Sequence, residues 1–333
     1  MMTEYKGVMV LGETNDGHLA PITAELLGCG RRLAEVLQET LSAVIIGGNV
    51  KGLAAEAAHS GADRVYEVSD RLLEDYLTET YTAVMATVVE KAKPRILLMG
   101  QTAVGRDLAP RLAFRLQTAA AMDCIELDID ETSRQLLQTR PVFGGNARAV
   151  VATECLPQIA TVRAKSMAPL TPDADRNAEV ISVQSGLNAA ELKTRVVQKK
   201  PQNVEGLRLE DAAVVVGGGR GIGGGEGFKE LEKLAGVLQG AVGASRPPCD
   251  AEWVPNTMMI GLTGKIIVPE LYIAVALSGA SQHMSGCATA KNIIAVNRDP
   301  EANIFREARY GVVGDWKKVL PAFTEKAKEL LAE

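Results

Sequence analysis

Aromatic residues make up only 4% of this 333-residue chain, with two Trp, six Tyr and five Phe. So few rings exclude an aromatic-cored β-sandwich and point to a core of Val, Leu, Ile and Ala. Histidine is scarcer still, at His18, His59 and His283. The five cysteines (Cys29, Cys124, Cys155, Cys249, Cys287) are scattered, odd in number and never spaced C-x-x-C. That excludes a disulfide framework and predicts reduced thiols. His283 stands four residues before Cys287, but such a pair alone is not a metal site. No apolar run reaches the ~18–20 residues of a membrane span. The start, MMTEYKGVMVLGE, lacks the basic head and apolar stretch of a signal peptide and the Arg-rich character of a transit peptide. The expectation is a soluble, cytoplasmic protein. Charge of one sign is missing too: 36 Lys+Arg face 41 Asp+Glu, a net of -5 with neither half basic. A general nucleic-acid binder is therefore excluded.

What is present is ordinary globular composition, 47% hydrophobic and 23% charged, with 32 Gly. The length suits two domains of ~100–200 residues. The first ~120 residues alternate between strand and helix patterns. Strands are predicted at Val8–Leu11, Ser42–Gly47, Arg64–Val68 and Arg95–Gly100. Helices are predicted from Pro21 to Gln38, where Leu26, Leu27, Leu33, Ala34 and Leu37 recur at helical spacing, and over Val50–Ser60 and Arg106–Leu116. Asp70 reads as the N-cap of a long helix reaching Lys93, with Leu73, Leu77, Val84 and Val88 on one face. Apolar strands alternating with helices predict a mostly parallel sheet covered on both faces. After Ala121 the segments 123–129, 136–142, 147–152, 157–163 and 180–183 are strand-like with no helix between them. They predict an antiparallel extension of that sheet. A polar stretch over 185–206 ends the first domain. The domains expected are 1–190, a linker at 191–206, and 207–333.

From Ala212 the α/β rhythm restarts. A strand at 212–216 leads into the glycine loop 217–225, then a helix marked by Phe228, Leu231, Leu234, Ala235 and Leu238. Further strands are predicted at 241–244, 265–268, 271–277 and 293–297, and a last helix from Trp316 to about Leu331. Gly219, Gly221 and Gly224 fit G-x-G-x-x-G, the spacing that lets a pyrophosphate approach backbone amides at a helix N-terminus. The acid that should hold a ribose ~20 residues on is absent. Arg246 stands there instead, suited to a 2′-phosphate or to an electron-rich ring. Three more segments end apolar runs with small or hydrogen-bonding residues: 261–265, 278–283 and 297–299. Each alone reads as a turn, but together with the glycine loop they would converge on one crevice.

These residues carry a family resemblance. The strings VVGGGRGIGGGEGF, GAVGASRPPCDA, TGKIIVPELYIAVALSGASQHMSG, IIAVNRDPEANIF and YGVVGDW resemble the α subunit of the electron-transfer flavoproteins, in order and spacing. ELLGCGRRLA, GRDLAPRLA and the run ending in TVRAK extend the resemblance over nearly the whole chain. It implies two α/β domains, the second a Rossmann-like FAD-binding domain, and a β subunit as heterodimeric partner. It implies a carrier that exchanges electrons with dehydrogenases of the acyl-CoA dehydrogenase type, one at a time through the flavin semiquinone. Such a chain is not a catalyst on its own; it works within a flavin-based redox or electron-bifurcating complex.

Carried onto matching positions, the resemblance places Arg220 near the FAD phosphates. It places Ser245, Arg246 and Thr263 at the flavin end, with the Thr263 hydroxyl on the reactive ring nitrogen. Ile260, Gly261 and Leu262 belong to the same loop as Thr263. Ser278, Gly279, Ala280, Ser281, Gln282 and His283 wrap the cofactor, the last two near the pyrimidine edge. Asn297 and Asp315, with Trp316 beside it, hold the adenosine half. The family usually has Gln where this chain has Leu262, which bears on redox tuning more than on binding. Arg246, Thr263 and His283 are the expected tuning residues. A guanidinium stays protonated, so it favours a ring that gains negative charge on reduction. At ~4 Å and an effective dielectric of ~20 the attraction is ~4 kcal/mol before solvent lowers it.

The first domain has its own strand–helix loop, 100–107, read as helix capping and subunit contact. No acid–base or nucleophile constellation stands out, and no metal is expected. Two other readings remain at this stage: an NADP-dependent reductase with Arg246 on the 2′-phosphate, and a non-redox nucleotide-binding assembly subunit.

Overall fold

A computed structural model describes residues 5–145, 147–200 and 207–332. It divides the chain into two compact units: residues up to 142 with 148–199, and residues 143–147 with those from 200 onward. Of the expected linker, residues 201–206 lie outside the described ones. Residues 193–199 have no regular structure and are tied back to the first unit. The Lys193 amide and the Thr194 hydroxyl donate to Glu79, and Lys199 pairs with Asp75.

The first unit begins with β1 (Val8–Gly12), a small hairpin of β2 (Thr14–Asn15) and β3 (His18–Leu19), and α1 (Pro21–Leu37). There follow β4 (Leu41–Gly47), α2 (Leu53–His59), β5 (Arg64–Ser69), α3 (Thr78–Ala92), β6 (Ile96–Gly100) and α4 (Ala103–Arg115). The strands β7 (Ala120–Cys124), β8 (Glu126–Ile129), β9 (Leu136–Val142), β10 (Ala147–Val151), β11 (Gln158–Val162) and β12 (Glu179–Ser182) complete it. Among the described residues seven strands form one parallel sheet in the order β12-β5-β4-β1-β6-β11-β7. β1, β6 and β11 are buried at every residue, because helices cover both faces.

Two expectations fail in the first unit. Of the strands after Ala121, only β8, β9 and β10 form a separate three-stranded sheet, with β8 and β9 antiparallel. β7, β11 and β12 join the main sheet in parallel. A parallel crossover needs about a dozen residues and usually a helix. Between β7 and β11 the antiparallel strands serve as the crossover, so no helical pattern announced it. Asp70, for its part, does not cap the long helix. It accepts from the Leu72 amide at 3.0 Å and caps a single 3₁₀ turn, Arg71–Leu73. The chain first buries Leu73 completely and starts α3 only at Thr78.

The second unit contains β13 (Val214–Gly218), a 3₁₀ turn at Arg220–Ile222, α5 (Gly225–Val237), β14 (Ala241–Ala244), α6 (Arg246–Asp250) and β15 (Leu271–Val275). It continues with α7 (Ser281–Met284), β16 (Asn292–Asn297), α8 (Ile304–Glu307), β17 (Tyr310–Val313) and α9 (Trp316–Ala332). Among the described residues its five strands are all parallel, ordered β14-β13-β15-β16-β17. Phe228, Leu231 and Leu234 of α5 pack with Val216, Ile273 and Val275 on one face. Val215, Tyr272 and Ala274 meet Met284, Cys287 and Ile304 on the other. The chain thus has the expected two-unit α/β architecture. The strand expected at 265–268 does not form; Lys265 makes one isolated bridge to Ile260 and closes a loop instead. β17 takes its place in the sheet.

Candidate functional site

Winding of the second sheet reverses between β13 and β15. In open α/β sheets ligands bind outside the carboxyl ends of the strands at that reversal. The carboxyl ends of β13, β14, β15 and β16 border one cleft of 850 Å³ there, within the ~300–1,000 Å³ of small-molecule sites.

Four chain segments and a tight loop build its walls. After β13, Gly219 donates its amide to the Val275 carbonyl at 3.0 Å. It passes so close to β15 that a Cβ would fall 2.1 Å from the Ala276 carbonyl oxygen. After β14, the Ser245 amide donates to Gly218 at 3.0 Å and Arg246 opens α6. The loop 259–265 closes on itself through Lys265 N to Met259 O (2.7 Å) and Gly261 N to Lys265 O (3.1 Å). Leu262 N to Gln282 O (2.8 Å) pins that loop to α7. After β15, Ala276 adopts a left-handed φ of 53°, a conformation costing an L-residue about 1–2 kcal/mol. After β16, Asn297 braces its neighbour. Its Nδ2 donates to Leu277 O at 2.7 Å and its Oδ1 accepts from Asp299 N at 3.0 Å.

Of the site residues expected from sequence, Arg220, Ser245, Arg246, Ile260, Gly261, Leu262 and Thr263 line this cleft. So do Ser278, Gly279, Ala280, Gln282, His283 and Asn297. Three are placed elsewhere. Ser281 opens α7 and is exposed, its hydroxyl 3.4 Å from Gln282 Oε1. Asp315 accepts from the Lys317 amide at 3.0 Å where α9 begins. Trp316 donates its indole N–H to Gly221 O at 3.1 Å, so it props the glycine loop from behind. It borders a second cleft of 530 Å³ with Gly223, Gly224 and Glu226. The G-x-G-x-x-G spacing is therefore split. Gly219 and Gly221 face the main cleft and Gly224 the second, because the 3₁₀ turn Arg220–Ile222 intervenes before α5.

Sequence reasoning missed Pro247, Met259, Ala276, Leu277, Glu301, Ala302 and Asn303, which also line the cleft. The string DPEAN contained the last three, directly after the Asn297–Asp299 segment. Nothing in sequence marks Ala276, an alanine in a conformation suited to glycine.

Three guanidinium groups border the cleft, Arg220, Arg246 and Arg298, with Asp299 and Glu301 beside the last. Among the described residues no ion pair engages Arg220 or Arg298. Arg246 pairs with Asp250 of its own helix at 3.2 Å, but its side chain is 67% exposed. An exposed i,i+4 pair is worth ~0.3–0.5 kcal/mol, so the guanidinium is easily recruited. Leu262 is 65% exposed, an apolar group at the lip. His283 differs from all of these. It is 6% exposed, with Nε2 2.7 Å from the Tyr272 hydroxyl and Nδ1 3.1 Å from Ile260 O. Both ring nitrogens are satisfied inside the protein, and burial pushes its pKa down to about 4.

The residues present suit a flavin dinucleotide. The cleft runs across four strand ends, Gly219 leaves backbone open to close approach, and weakly paired cations await phosphate or a reduced ring. In the first unit, loop 100–107 caps instead. Thr102 Oγ1 accepts from Gly105 N at 3.1 Å and donates to Glu13 at 2.7 Å, and Asp107 accepts from the Tyr76 hydroxyl at 2.8 Å.

Comparison with known proteins agrees with this geometry. Residues 8–187 match the family described as electron transfer flavoprotein domain, and residues 208–288 match the electron transfer flavoprotein FAD-binding domain. The chain is 42% identical to the electron transfer flavoprotein subunit alpha of Thermoanaerobacterium thermosaccharolyticum, over 99% of this chain and 100% of that one. It is 41% identical to the subunit of the same name from Bacillus subtilis, over 98% of each. It is 39% identical to Protein FixB of Azotobacter vinelandii, over 99% of this chain and 93% of that one. Among the described residues no helix is long and apolar enough to cross a membrane. With FAD as its cofactor and electron carriage as its role, the chain belongs to the electron transfer flavoprotein alpha subunit family.

Proposed function

We propose that the cleft at the carboxyl ends of β13, β14, β15 and β16 is the FAD site. In this reading the chain, paired with a β subunit, carries electrons between a dehydrogenase of the acyl-CoA dehydrogenase type and a second redox protein. The observation that carries the reading is the convergence of Arg220, Arg246, Thr263, Gln282 and Asn297, from four strand ends and one loop, on one cleft at the winding reversal. FAD supplies reversible electron uptake, singly or in pairs. Everything else falls to the chain.

Arg220 and Gly219–Gly221 bind the pyrophosphate. Arg246, fixed at the first turn of α6, sits at the flavin end beside Ser245 and stabilises added negative charge. The Thr263 hydroxyl is exposed at the tip of its loop and orients the ring by a hydrogen bond. Leu262 shields that end from water and replaces a polar contact. Segment 278–283 follows the ring edge. Its contact comes from backbone and Gln282, with His283 serving as a strut. The adenosine half rests on 297–303. Asn297 holds that segment in shape, while Trp316 supports the glycine loop from outside. The free thiols, four of them buried, fit a cytoplasmic location.

The test is purification of the chain together with its β partner, followed by denaturation and identification of the released flavin. The reading expects a yellow complex that yields FAD. A colourless complex that binds NADPH, or one that binds only an adenine nucleotide, overturns it.

A further inference from the structure

Tyr272 lies on β15 with its side chain 0% exposed. A phenol at that depth needs a partner for its hydroxyl. The partner is Nε2 of His283, at 2.7 Å. The other ring nitrogen, Nδ1, is 3.1 Å from the Ile260 carbonyl oxygen. A carbonyl only accepts, so Nδ1 carries the proton. In the neutral ring Nε2 is then an acceptor, and the phenol donates to it. The tautomer is set from both sides by protein groups.

Space for this pairing is provided by the neighbouring strand. A Cβ on Gly217 of β13 would lie 2.1 Å from the Tyr272 hydroxyl oxygen, so a larger residue there would displace it. The pairing also joins parts of the cleft wall that are distant in sequence. Tyr272 belongs to β15, His283 to α7 and Ile260 to the loop 259–265. Ile260 in turn donates its amide to Ala244 O at 2.8 Å, at the end of β14. The Leu262 amide to Gln282 O bond, also 2.8 Å, closes the same seam beside it. Tyr272 itself does not line the cleft.

We propose that Tyr272 is a positioning residue for the cleft. Its hydroxyl locks His283 as the neutral Nδ1–H tautomer, and through Ile260 this holds the loop bearing Thr263 against α7. The tautomer lock follows from geometry alone. Its consequence for cofactor retention rests on the reading of the cleft as the FAD site. Were Tyr272 merely a core filler, removing its oxygen would leave the His283 ring as it is.

The experiment uses the full chain with its β subunit, labelled with ¹⁵N at histidine, as wild type and as Tyr272→Phe. Two-bond ¹H–¹⁵N spectra at pH 7 read the tautomer, with and without FAD, and His283→Gln assigns the signal among the three histidines. Stopped-flow fluorescence reads FAD release. The wild type should show a protonated Nδ1 and a bare Nε2 in both states. In Tyr272→Phe, with Nε2 left without its donor, part of the signal should move toward Nε2–H, and FAD should leave about tenfold faster, the ~1.4 kcal/mol typical of one buried polar group left unpaired. A wild-type ring protonated at Nε2 overturns the proposal with no variant needed. So does an unchanged tautomer in Tyr272→Phe, or a changed tautomer with unaltered FAD release. If the complex holds no FAD at all, the site assignment fails, while the wild-type spectrum still judges the lock.

Discussion

Acidification should weaken the second unit before it weakens the first, and one buried histidine sets the scale. His283 is held neutral by burial, with its pKa moved from 6.5 to about 4. The unfolded chain takes up a proton there once the pH falls below 6.5, and the folded chain resists doing so until about 4. Stability from this group is therefore complete above pH 6.5 and is lost as pH falls through that window. At about 1.4 kcal/mol per pH unit the full loss is about 3 kcal/mol, of which about 2 kcal/mol disappears between pH 7 and pH 5. In the first unit burial raises Glu13 and Glu25 while hydrogen bonds lower Asp70 and Asp107. Both tryptophans, Trp253 and Trp316, belong to the second unit. Tryptophan fluorescence during urea unfolding of the FAD-free chain therefore reports that unit alone. The unfolding free energy should fall by about 2 kcal/mol from pH 7 to pH 5, and His283→Gln should flatten that slope. A flat wild-type profile, or a slope that survives His283→Gln, would refute the reasoning.

Three further outcomes are expected. Arg246→Ala breaks only an exposed pair with Asp250, so stability should stay within ~0.5 kcal/mol. A reductive titration should nonetheless place the flavin potential lower by tens of millivolts, about 1 kcal/mol for one electron; an unchanged potential removes Arg246 from the mechanism. Thr263→Ala should shift the flavin absorption spectrum more than Leu262→Gln does, since Thr263 has the hydroxyl; if neither spectrum moves, that loop does not touch the ring. Thr102→Ala removes the cap on α4 and the partner of Glu13. It should cost the first unit about 1–2 kcal/mol in circular-dichroism melts while FAD content stays the same.

Much of this fold could be read from periodicity, because the residues that bury an element also announce it. Phe228, Leu231 and Leu234 mark α5 at helical spacing, and the apolar runs at β1, β6 and β13 mark strands covered on both faces. Failures came where burial and pattern part company. β17, Tyr-Gly-Val-Val, is exposed at all four residues and too short and glycine-broken to show a buried-strand pattern. β7 and β11 pair in parallel across a crossover made of strands. The loop 259–265, closed by Lys265, is followed by an apolar stretch, Ile266–Val268, that resembles a strand but forms none. At the site, polar and glycine residues that end strands were legible as cleft-lining groups. The tertiary facts were not. Ala276 is left-handed, Trp316 props the glycine loop from behind, and His283 is consumed by a tyrosine eleven residues earlier. Each depends on packing between segments that are separated in sequence.

Photolabelling with 8-azido-FAD tests the central claim most directly. Irradiation of the αβ complex, followed by peptide mapping, should put the adduct within 245–247, 259–263 or 276–283. Label confined to loop 100–107 of the first unit, or to the β subunit, would contradict the assignment of FAD to this cleft.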